Sequence, residues 1–312
     1  MKVTILVCYH KISPIIANEV LQPILVGAEY ASVDVKNALE SACKRANTSL
    51  YYDNSGEHIS GLNPYFCELT AMYWAWKNLD CDYYGFFHYR RVLDFSDGVR
   101  FDMPRKEKVR YSSLCGIMDN AFYESYALLA QNIEQVCHGY DIILPTKVID
   151  HDQKERAQHL SLYGLYEKVH YAKDMDMALA YISSKYPHMH QSALQTLHKK
   201  PMLWYIANMF VMKRELYFAY CEWVFDILFA LQERIPYKSY DVYQARVFGF
   251  LAERLFNIWL EYQKQTNPKL RIKELPLVLL NPKAHKRWLG WVQEGNVRRF
   301  YVAKLRVLKQ YL

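Results

Sequence analysis

Short, uniformly apolar segments alternate with longer amphipathic ones along the chain. The short segments are rich in β-branched and aromatic residues and cover Val3–Cys8, Tyr83–Phe87 and Tyr140–Pro145, with a further candidate over Pro23–Gly27. Runs of this length and composition predict strands that are buried on both faces, as is typical of parallel sheets.

The longer segments carry apolar residues at steps of three and four, which predicts amphipathic helices. They cover Tyr65–Lys77, Asp174–Tyr186, Arg214–Gln232 and Tyr240–Tyr262. Asn63 followed by Pro64 predicts the start of the first of these helices, and Asp174 is a candidate cap of the second. The alternation predicts an α/β fold with a mostly parallel central sheet flanked by helices and a helical C-terminal part. Two charged regions are expected to be a loop or lid (Asp94–Met118) and a surface insertion (Thr146–His170).

Composition excludes several classes of protein. Of 312 residues, 52% are hydrophobic and 23% are charged, which is ordinary for a globular protein. The chain has seven cysteines, an odd number, and no two of them form a C-x-x-C pair. This argues against a disulfide framework or a zinc knuckle, and it favours a protein of the reducing cytoplasm. There is no G-x-G-x-x-G and no G-x-x-x-x-G-K-[ST] motif, so the dinucleotide and P-loop classes are excluded. No signal peptide or membrane-spanning run is expected.

The positive charge of the chain is concentrated at its end. From Asn281 onward there are eight basic residues and one acid, so this tail accounts for the whole net charge of +7. Val297, Tyr301, Leu305, Leu308 and Leu312 follow helical steps, and Trp288 and Trp291 precede them. A basic amphipathic helix of this kind is typical of attachment to an anionic membrane surface. The alternative is a helix packed on the domain, and nucleic acid is not the expected partner. We therefore divide the chain into a domain at 1–275 and a tail at 276–312.

The strand Tyr83–Phe87 breaks abruptly into His88-Tyr89-Arg90-Arg91. Ligands of open α/β sheets bind beyond the carboxyl ends of the strands, and guanidinium groups present a rigid fork of donors to phosphate or carboxylate. The sequence therefore predicts an anionic ligand at this strand end. The alternative is an ordinary strand end with two solvated arginines.

Carboxylates offer candidates for a metal site and for a general base. The D-x-D pattern occurs at Asp80, Asp150 and Asp174, but only Asp150-His151-Asp152 lies in a loop after a strand. Such a pair would hold a divalent cation against a diphosphate. Asp241 and Glu253 are the candidate bases, and pairing of Glu253 with Arg254 or Arg246 is the structural alternative. Glu68 is expected to favour its helix N-terminus, or else to hold a ligand there.

A set of motifs together resembles one family. They are Ile59-Ser60, Asn63-Pro64-Tyr65, Glu68-Leu69-Thr70, Tyr73-Trp74-Ala75-Trp76-Lys77-Asn78, Tyr84-Gly85, His88-Tyr89-Arg90-Arg91, Asn208-Met209-Phe210-Val211-Met212 and Gly249-Phe250-Leu251-Ala252-Glu253-Arg254-Leu255-Phe256. This sequence is similar to the bacterial capsular and exopolysaccharide glycosyltransferases long carried as a domain of unknown function, over residues 1 to 275. The resemblance implies a GT-A-like (Rossmann-like) fold and a transferase that uses a nucleotide sugar.

The resemblance further implies a hexosyl donor, with UDP-galactose or a UDP-galactofuranose as candidates. The acceptor would be a lipid-linked O-antigen (lipopolysaccharide), capsular or exopolysaccharide chain at the inner face of the cytoplasmic membrane, with the enzyme cytoplasmic and peripheral to that membrane. In this fold an acidic strand-end motif commonly binds a metal. Here His88-Tyr89-Arg90-Arg91 fills that place, which leaves Mg²⁺ or Mn²⁺ at Asp150 and Asp152 as the alternative.

Roles for individual residues follow from this interpretation. His10, Lys11, Tyr89 and the loop containing His58, Ser60 and Asn63 are predicted to hold the nucleotide. His88, Arg90 and Arg91 would neutralise the diphosphate, and His88, Asp241 or Glu253 would act in catalysis. Asn208 and Trp204 would face the acceptor. Two other classes stay open: a non-catalytic glycan- or nucleotide-binding scaffold of an assembly complex, and a metal-dependent hydrolase using Asp150, His151 and Asp152.

Overall fold

Within residues 1–96, 109–113, 120–148 and 160–281, which the computed structural model describes, ten strands join into one mixed sheet. The strands are β1 (Val3–Tyr9), β2 (Leu21–Leu25), β3 (Tyr51–Tyr52), β4 (Tyr83–His88), β5 (Arg91–Leu93), β6 (Val109–Ser113), β7 (Ile142–Pro145), β8 (Phe210–Lys213), β9 (Ile272–Leu275) and β10 (Leu277–Asn281). The helices are α1 (Val33–Arg45), α2 (Asn63–Phe66), α3 (Leu69–Asn78), α4 (Asn120–Ser125), α5 (Ala130–Gly139), α6 (Leu162–Val169), α7 (Ala172–Lys185), α8 (Pro187–His198), α9 (Arg214–Gln232) and α10 (Val247–Thr266).

The sheet has the order β3-β2-β1-β4-β5-β10-β6, and β8 joins β4 to β7, which pairs in turn with β9. The strand β1 is parallel to both of its neighbours, as its uniformly apolar sequence predicted. Five of the nine pairings among the described strands are parallel, so the predicted α/β architecture with a mostly parallel sheet is confirmed.

The central strands are buried on both faces. Along β1, Leu6 faces one apolar cluster and Ile5 and Val7 face the other, because successive side chains of a strand point to opposite sides. In β4, Phe86 and Phe87 divide in the same way. The helices cover these two faces, which fixes the position of the strand ends where the candidate site lies.

Gly85 marks a close approach in the middle of β4. It lies between Ile5 of β1 and Val211 of β8 in the strand register. A Cβ atom at Gly85 would lie 2.7 Å from Ile5 Cγ1 and 2.9 Å from Val211 Cγ2. The two branched neighbours therefore fill the space that any side chain at this position would need.

The predicted helix Tyr65–Lys77 is wrong as a single element, because Cys67, with φ of 53°, separates α2 from α3. Asn63 is the first residue of α2 rather than its cap. Its Nδ2 donates to the Cys67 carbonyl at 2.8 Å and to Thr70 Oγ1 at 3.1 Å, which stabilises the break. The spacing of apolar residues continues across the break, so periodicity alone could not reveal it.

Two further helix boundaries differ from the prediction. The helix expected from Tyr240 starts at Val247, because Asp241 Oδ1 accepts the backbone N–H groups of Tyr243 and Gln244 and forms a turn there. The helix expected from Asp174 starts at Ala172, and Asp174 is buried and accepts a hydrogen bond from Tyr240 Oη instead of capping. The helix predicted over Arg214–Gln232 is confirmed as α9.

Both regions that were expected to be irregular contain regular structure. The segment Asp94–Met118 contributes β6, which is parallel to β10. The segment Thr146–His170 contributes α6, whose Leu162, Leu165 and Tyr166 are buried, so its description as a surface insertion is wrong there. Most of the charged residues of this segment lie at 149–159, outside the described residues. Because they dominate the composition of the segment, the apolar spacing of the helix that follows was not recognised in the sequence.

The sheet continues past residue 275, because β10 pairs with β5 and β6. Residues 282–312 lie outside the described part, and the predicted basic helix with its membrane contact falls on them. That contact stays a prediction. Among the described residues, no helix combines the length and the apolar character that crossing a bilayer would require.

Candidate functional site

A cavity of about 740 Å³ opens at the carboxyl ends of β1 and β4. Ligands of open α/β sheets bind at this position, and the volume lies within the range of small-molecule sites. Most of the predicted site residues line it, namely His10, Lys11, Asn63, His88, Tyr89, Arg90, Arg91, Trp204 and Glu253. The same cavity is lined by several residues without a predicted site role, among them Cys67, His170, Tyr243 and Phe250, and by Glu68, Arg246 and Arg254.

The ring of Tyr89 organises the cationic side of the cavity. The parallel register pairs Cys8 with His88, so the residues that follow the two strands lie side by side. The buried Tyr89 ring contacts the His10 ring edge-on at 5.1 Å, and the Lys11 Nζ and Arg90 Cζ atoms lie 5.6 and 4.9 Å from its centroid. Attraction between these cations and the ring holds the mutually repelling charges together at the strand ends.

Arg90 and Arg91 are both exposed, Arg90 in the turn after β4 and Arg91 as the first residue of β5. The Arg90 carbonyl accepts a hydrogen bond from the Leu280 N–H at 2.9 Å, which fixes the turn to β10. Among the described residues neither guanidinium group forms an ion pair. Two guanidinium groups on a fixed backbone are therefore open to an anionic ligand.

His88 is held as a neutral ring. Its Nε2 atom lies 2.8 Å from the Ala207 carbonyl, which can only accept, so Nε2 carries the proton and Nδ1 is left as an acceptor. Burial lowers the pKa of His88 below its ordinary value. His88 therefore does not supply the positive charge that the sequence predicted for it, and the charge of this side comes from Lys11, Arg90 and Arg91.

Glu253 lies on α10 and faces the cavity with a side chain that is 21% exposed. Its Oε1 accepts the Ala207 N–H at 3.1 Å, and its Oε2 pairs with Arg254 Nη1 at 3.0 Å. Burial raises the pKa of Glu253 above its ordinary value, against the lowering effect of Arg254. The ion pair that we considered as the structural alternative is therefore present, and the carboxylate still lines the cavity.

Glu68 is a second carboxylate of the cavity. It lies at the N-terminus of α3, where the sequence placed it, but its side chain makes no capping hydrogen bond. Its Oε1 instead accepts from Asn208 Nδ2 at 2.9 Å. Asn208 is 140 residues from Glu68 along the chain, so no local sequence pattern could reveal this contact.

One short loop connects these three side chains. Ala207 and Asn208 both have left-handed backbone conformations, with φ of 74° and 45°. Ala207 holds His88 through its carbonyl and Glu253 through its N–H, and Asn208 holds Glu68 through its amide. Strained non-glycine residues of this kind cluster at functional sites.

Four predicted site residues do not line the cavity. Asn208 is 3% exposed, and its Nδ2 donates to Glu68 Oε1 and to the Gly249 carbonyl. It therefore positions Glu68 without lining the cavity itself. His58 lies outside the lining, and so does Asp241, which is exposed and forms a turn. Ser60 is buried and donates to Asp53 Oδ1 at 2.6 Å.

The buried Asp53 carboxylate fixes the loop beside the cavity. It accepts four hydrogen bonds, from the N–H groups of Gly27 and Ala28 and from the hydroxyls of Ser60 and Thr70. Gly27 has φ of 64°, and a Cβ there would lie 2.6 Å from Asn63 Oδ1. Ser60 thus stabilises the loop through Asp53 and does not line the cavity. Asn63 is the predicted residue of this loop that lines it.

A group of three rings forms another part of the cavity wall. His170 follows α6, Tyr243 precedes α10, and Phe250 lies on α10. The His170 ring stacks on Phe250 with centroids 4.0 Å apart and lies 6.0 Å from Tyr243. We call these three residues the ring cluster. The sequence placed His170 in a surface insertion and therefore missed it.

Metal binding stays a prediction. Among the described residues, no group of three or more His, Cys, Asp or Glu side chains has an arrangement suited to a metal ion. The candidate ligands Asp150 and Asp152, with His151, lie outside the described residues.

Comparisons with known proteins agree with this architecture. The apo structure of WbbM, a bifunctional glycosyltransferase, superposes with a TM-score of 0.75 at 30% sequence identity and covers 90% of this chain. The match covers 46% of WbbM, so the chain spans about half the length of that protein. The fold is therefore GT-A-like, as the sequence predicted. A comparison with curated proteins gave no significant match.

The model of one protein family matches residues 4–265, which is most of the chain. It is described as a domain of unknown function, DUF4422. The motifs that carried the resemblance fall within this range. The chain therefore belongs to the DUF4422 family.

Proposed function

We propose that this chain is a glycosyltransferase that moves a hexosyl residue from a nucleotide diphosphate sugar to a glycan. The likeness to a bifunctional glycosyltransferase at 30% identity supports the reaction class. One observation carries the proposal: a single cavity combines exposed guanidinium groups at the strand ends with a carboxylate whose pKa is raised. An inverting glycosyl transfer uses both, cations for the leaving diphosphate and a base for the attacking hydroxyl.

Lys11, Arg90 and Arg91 are the proposed diphosphate ligands. All three line the cavity, and Lys11 and Arg90 lie against the Tyr89 ring. Cationic donors aimed at the leaving group stabilise the negative charge that develops on it. His10 and Asn63 line the cavity next to this edge, and we assign them to the nucleoside. UDP-galactose and UDP-galactofuranose are the first donors to test.

Glu253 is the proposed general base of an inverting reaction. It would take the proton of the acceptor hydroxyl, whose oxygen then attacks the anomeric carbon. The bond from that carbon to the diphosphate oxygen breaks, and the nucleoside diphosphate leaves with the electron pair. Asp241 is not assigned this role, because it lies outside the cavity lining and forms a turn.

The acceptor is proposed to be a lipid-linked O-antigen, capsular or exopolysaccharide chain. This part rests on the family resemblance and on the basic residues of the tail. Trp204 lines the cavity beside Glu253, with the Arg254 guanidinium 4.6 Å from its ring centroid. It is therefore the member of the predicted acceptor pair that we retain in contact with substrate.

Thermal shift with UDP tests the donor site. We expect UDP to raise the melting temperature of the wild type, because a ligand that binds only the folded state stabilises it. The double variant Arg90→Ala/Arg91→Ala should lose most of this shift, since each charge-assisted hydrogen bond contributes about 1.5–3 kcal/mol.

The matched control replaces another adjacent pair of exposed cations, Lys44→Ala/Arg45→Ala at the end of α1. It should keep the full UDP shift. An equal shift in both double variants would contradict the assignment of the diphosphate to the strand ends.

A further inference from the structure

The ring cluster of His170, Tyr243 and Phe250 has no role in donor binding or in the proposed base chemistry. It is built from the end of α6, the turn before α10, and α10 itself. The basic edge of the cavity, which consists of Lys11, Arg90 and Arg91, comes from different elements, namely the loop after β1, the turn after β4 and the start of β5. Arg246 lines the cavity next to the ring cluster, with its Nε 3.2 Å from Cys67 Sγ and its guanidinium 5.4 Å from the Phe250 centroid.

The hydrogen bonds around His170 fix its tautomer. Gln244 donates through Nε2 to the Val169 carbonyl at 2.8 Å, so its Oε1 is the atom that faces His170. That oxygen accepts from His170 Nδ1 at 2.9 Å, so Nδ1 carries the proton. Within the described residues, His170 Nε2 has no hydrogen-bond partner and keeps its lone pair.

Burial keeps the ring neutral, since it lowers the pKa of His170 to about 4. A neutral imidazole with a free Nε2 is a hydrogen-bond acceptor on the wall of a cavity. The groups that meet it here must therefore be donors, such as hydroxyls.

Tyr243 supplies a flat apolar surface next to this acceptor. Its side chain is exposed, at 54%, although it packs against Phe250 with centroids 5.2 Å apart. An exposed aromatic face beside a single fixed acceptor suits a sugar ring, which has an apolar face of C–H groups and a rim of hydroxyls.

We propose that the ring cluster is the acceptor-sugar subsite, in which the sugar lies on Tyr243 and one hydroxyl donates to His170 Nε2. This inference rests on the proposed function and names the site of its second substrate. It assigns the acceptor rather than the donor sugar because the rings and the diphosphate ligands come from separate elements of the chain.

Titrations with methyl glycosides of galactose, glucose and mannose test this subsite. We expect at least one to bind the wild type, and its Kd to rise about three- to tenfold in His170→Phe, which keeps the ring stack and loses the acceptor. Tyr243→Ala should weaken binding to a similar extent, and Tyr243→Phe should not. The neighbouring Val242→Ala, at a residue that is 91% exposed and outside the cavity lining, is the matched control and should bind as the wild type does.

Nitrogen NMR of histidine-labelled protein gives a direct readout. The Nε2 resonance of His170, assigned by its loss in His170→Phe, should shift when the glycoside binds, and it should shift less in Tyr243→Ala at the same subsaturating glycoside concentration. A change confined to protein stability would not move it.

Several results would overturn the subsite: failure of all three glycosides to bind the wild type, unchanged Kd in both His170→Phe and Tyr243→Ala, or competition of the glycoside with UDP-galactose but not with UDP. The last would place the donor sugar on the rings. If the wild type binds a glycoside but does not bind UDP, the donor site is contradicted and the acceptor subsite is still supported.

Discussion

The residues of the site hold one another through a few specific hydrogen bonds. The pair Ala207 and Asn208 connects His88, Glu68 and Glu253, although both adopt a backbone conformation that costs about 1 kcal/mol or more per non-glycine residue. Such a cost persists only where the surroundings impose it. Here the imposed conformation directs the Ala207 N–H and carbonyl toward two different functional side chains.

Glu253→Gln tests the proposed base. The amide oxygen can still accept the Ala207 N–H, but it cannot take a proton, so we expect transfer to fall about 100-fold or more. In the wild type, kcat/KM should fall as the pH drops through the pKa of Glu253, because the protonated carboxyl is no base. Burial raises that pKa, so this acidic limb should lie above the ordinary glutamate value of 4.5.

The measurement is the pH profile of transfer for both proteins. Glu253→Gln should lack the acidic limb, and Glu222→Gln, at an exposed residue of α9, should reproduce the wild type. An unchanged limb in Glu253→Gln would show that another group acts as the base.

The sequence predicted correctly the strands and helices whose apolar residues follow one regular spacing from end to end. The strand β1 and the helix α9 have such patterns, and their apolar residues are buried as expected. Elements shaped by distant contacts were not. The break at Cys67 depends on Asn63 folding back onto the Cys67 carbonyl, and α6 is buried by packing that the charged residues around it concealed.

Arg90 and Arg91 of the basic edge follow shortly after β4, so the packing of β4 sets their position. Gly85→Ala should lower the free energy of unfolding by about 1–3 kcal/mol, because the new methyl group would overlap Ile5 and Val211. Urea denaturation measures this change.

Gly139→Ala provides the control for the glycine itself. It is the last residue of α5, and a Cβ there would meet no atom within 4 Å. It should leave stability unchanged or raise it by up to about 1 kcal/mol, since alanine favours helices over glycine. Equal losses in the two variants would contradict the close approach at Gly85.

At the scale of the whole molecule, the cavity draws its walls from segments far apart in the chain. Residues after β1 and β4 were predictable because strand ends of parallel sheets meet at one edge. The partners Glu68 and His170 were not, since their roles arise only when α3, α6 and α10 come together around the loop at Ala207. The sequence therefore predicted that Lys11, Arg90 and Arg91 lie together at the cavity and named Glu253, the proposed base, but it missed the role of Glu68 and His170 in the cavity wall.

The release of UDP from UDP-hexoses tests the central claim most directly. A panel of UDP-galactose, UDP-galactofuranose and UDP-glucose is incubated with and without methyl glycosides, and UDP is quantified for the wild type and both double variants. We predict release by the wild type that accelerates with a glycoside, a loss of about 100-fold or more in Arg90→Ala/Arg91→Ala, and full activity in Lys44→Ala/Arg45→Ala. No release from any donor, or equal rates in the wild type and Arg90→Ala/Arg91→Ala, would contradict a nucleotide-sugar site at these strand ends.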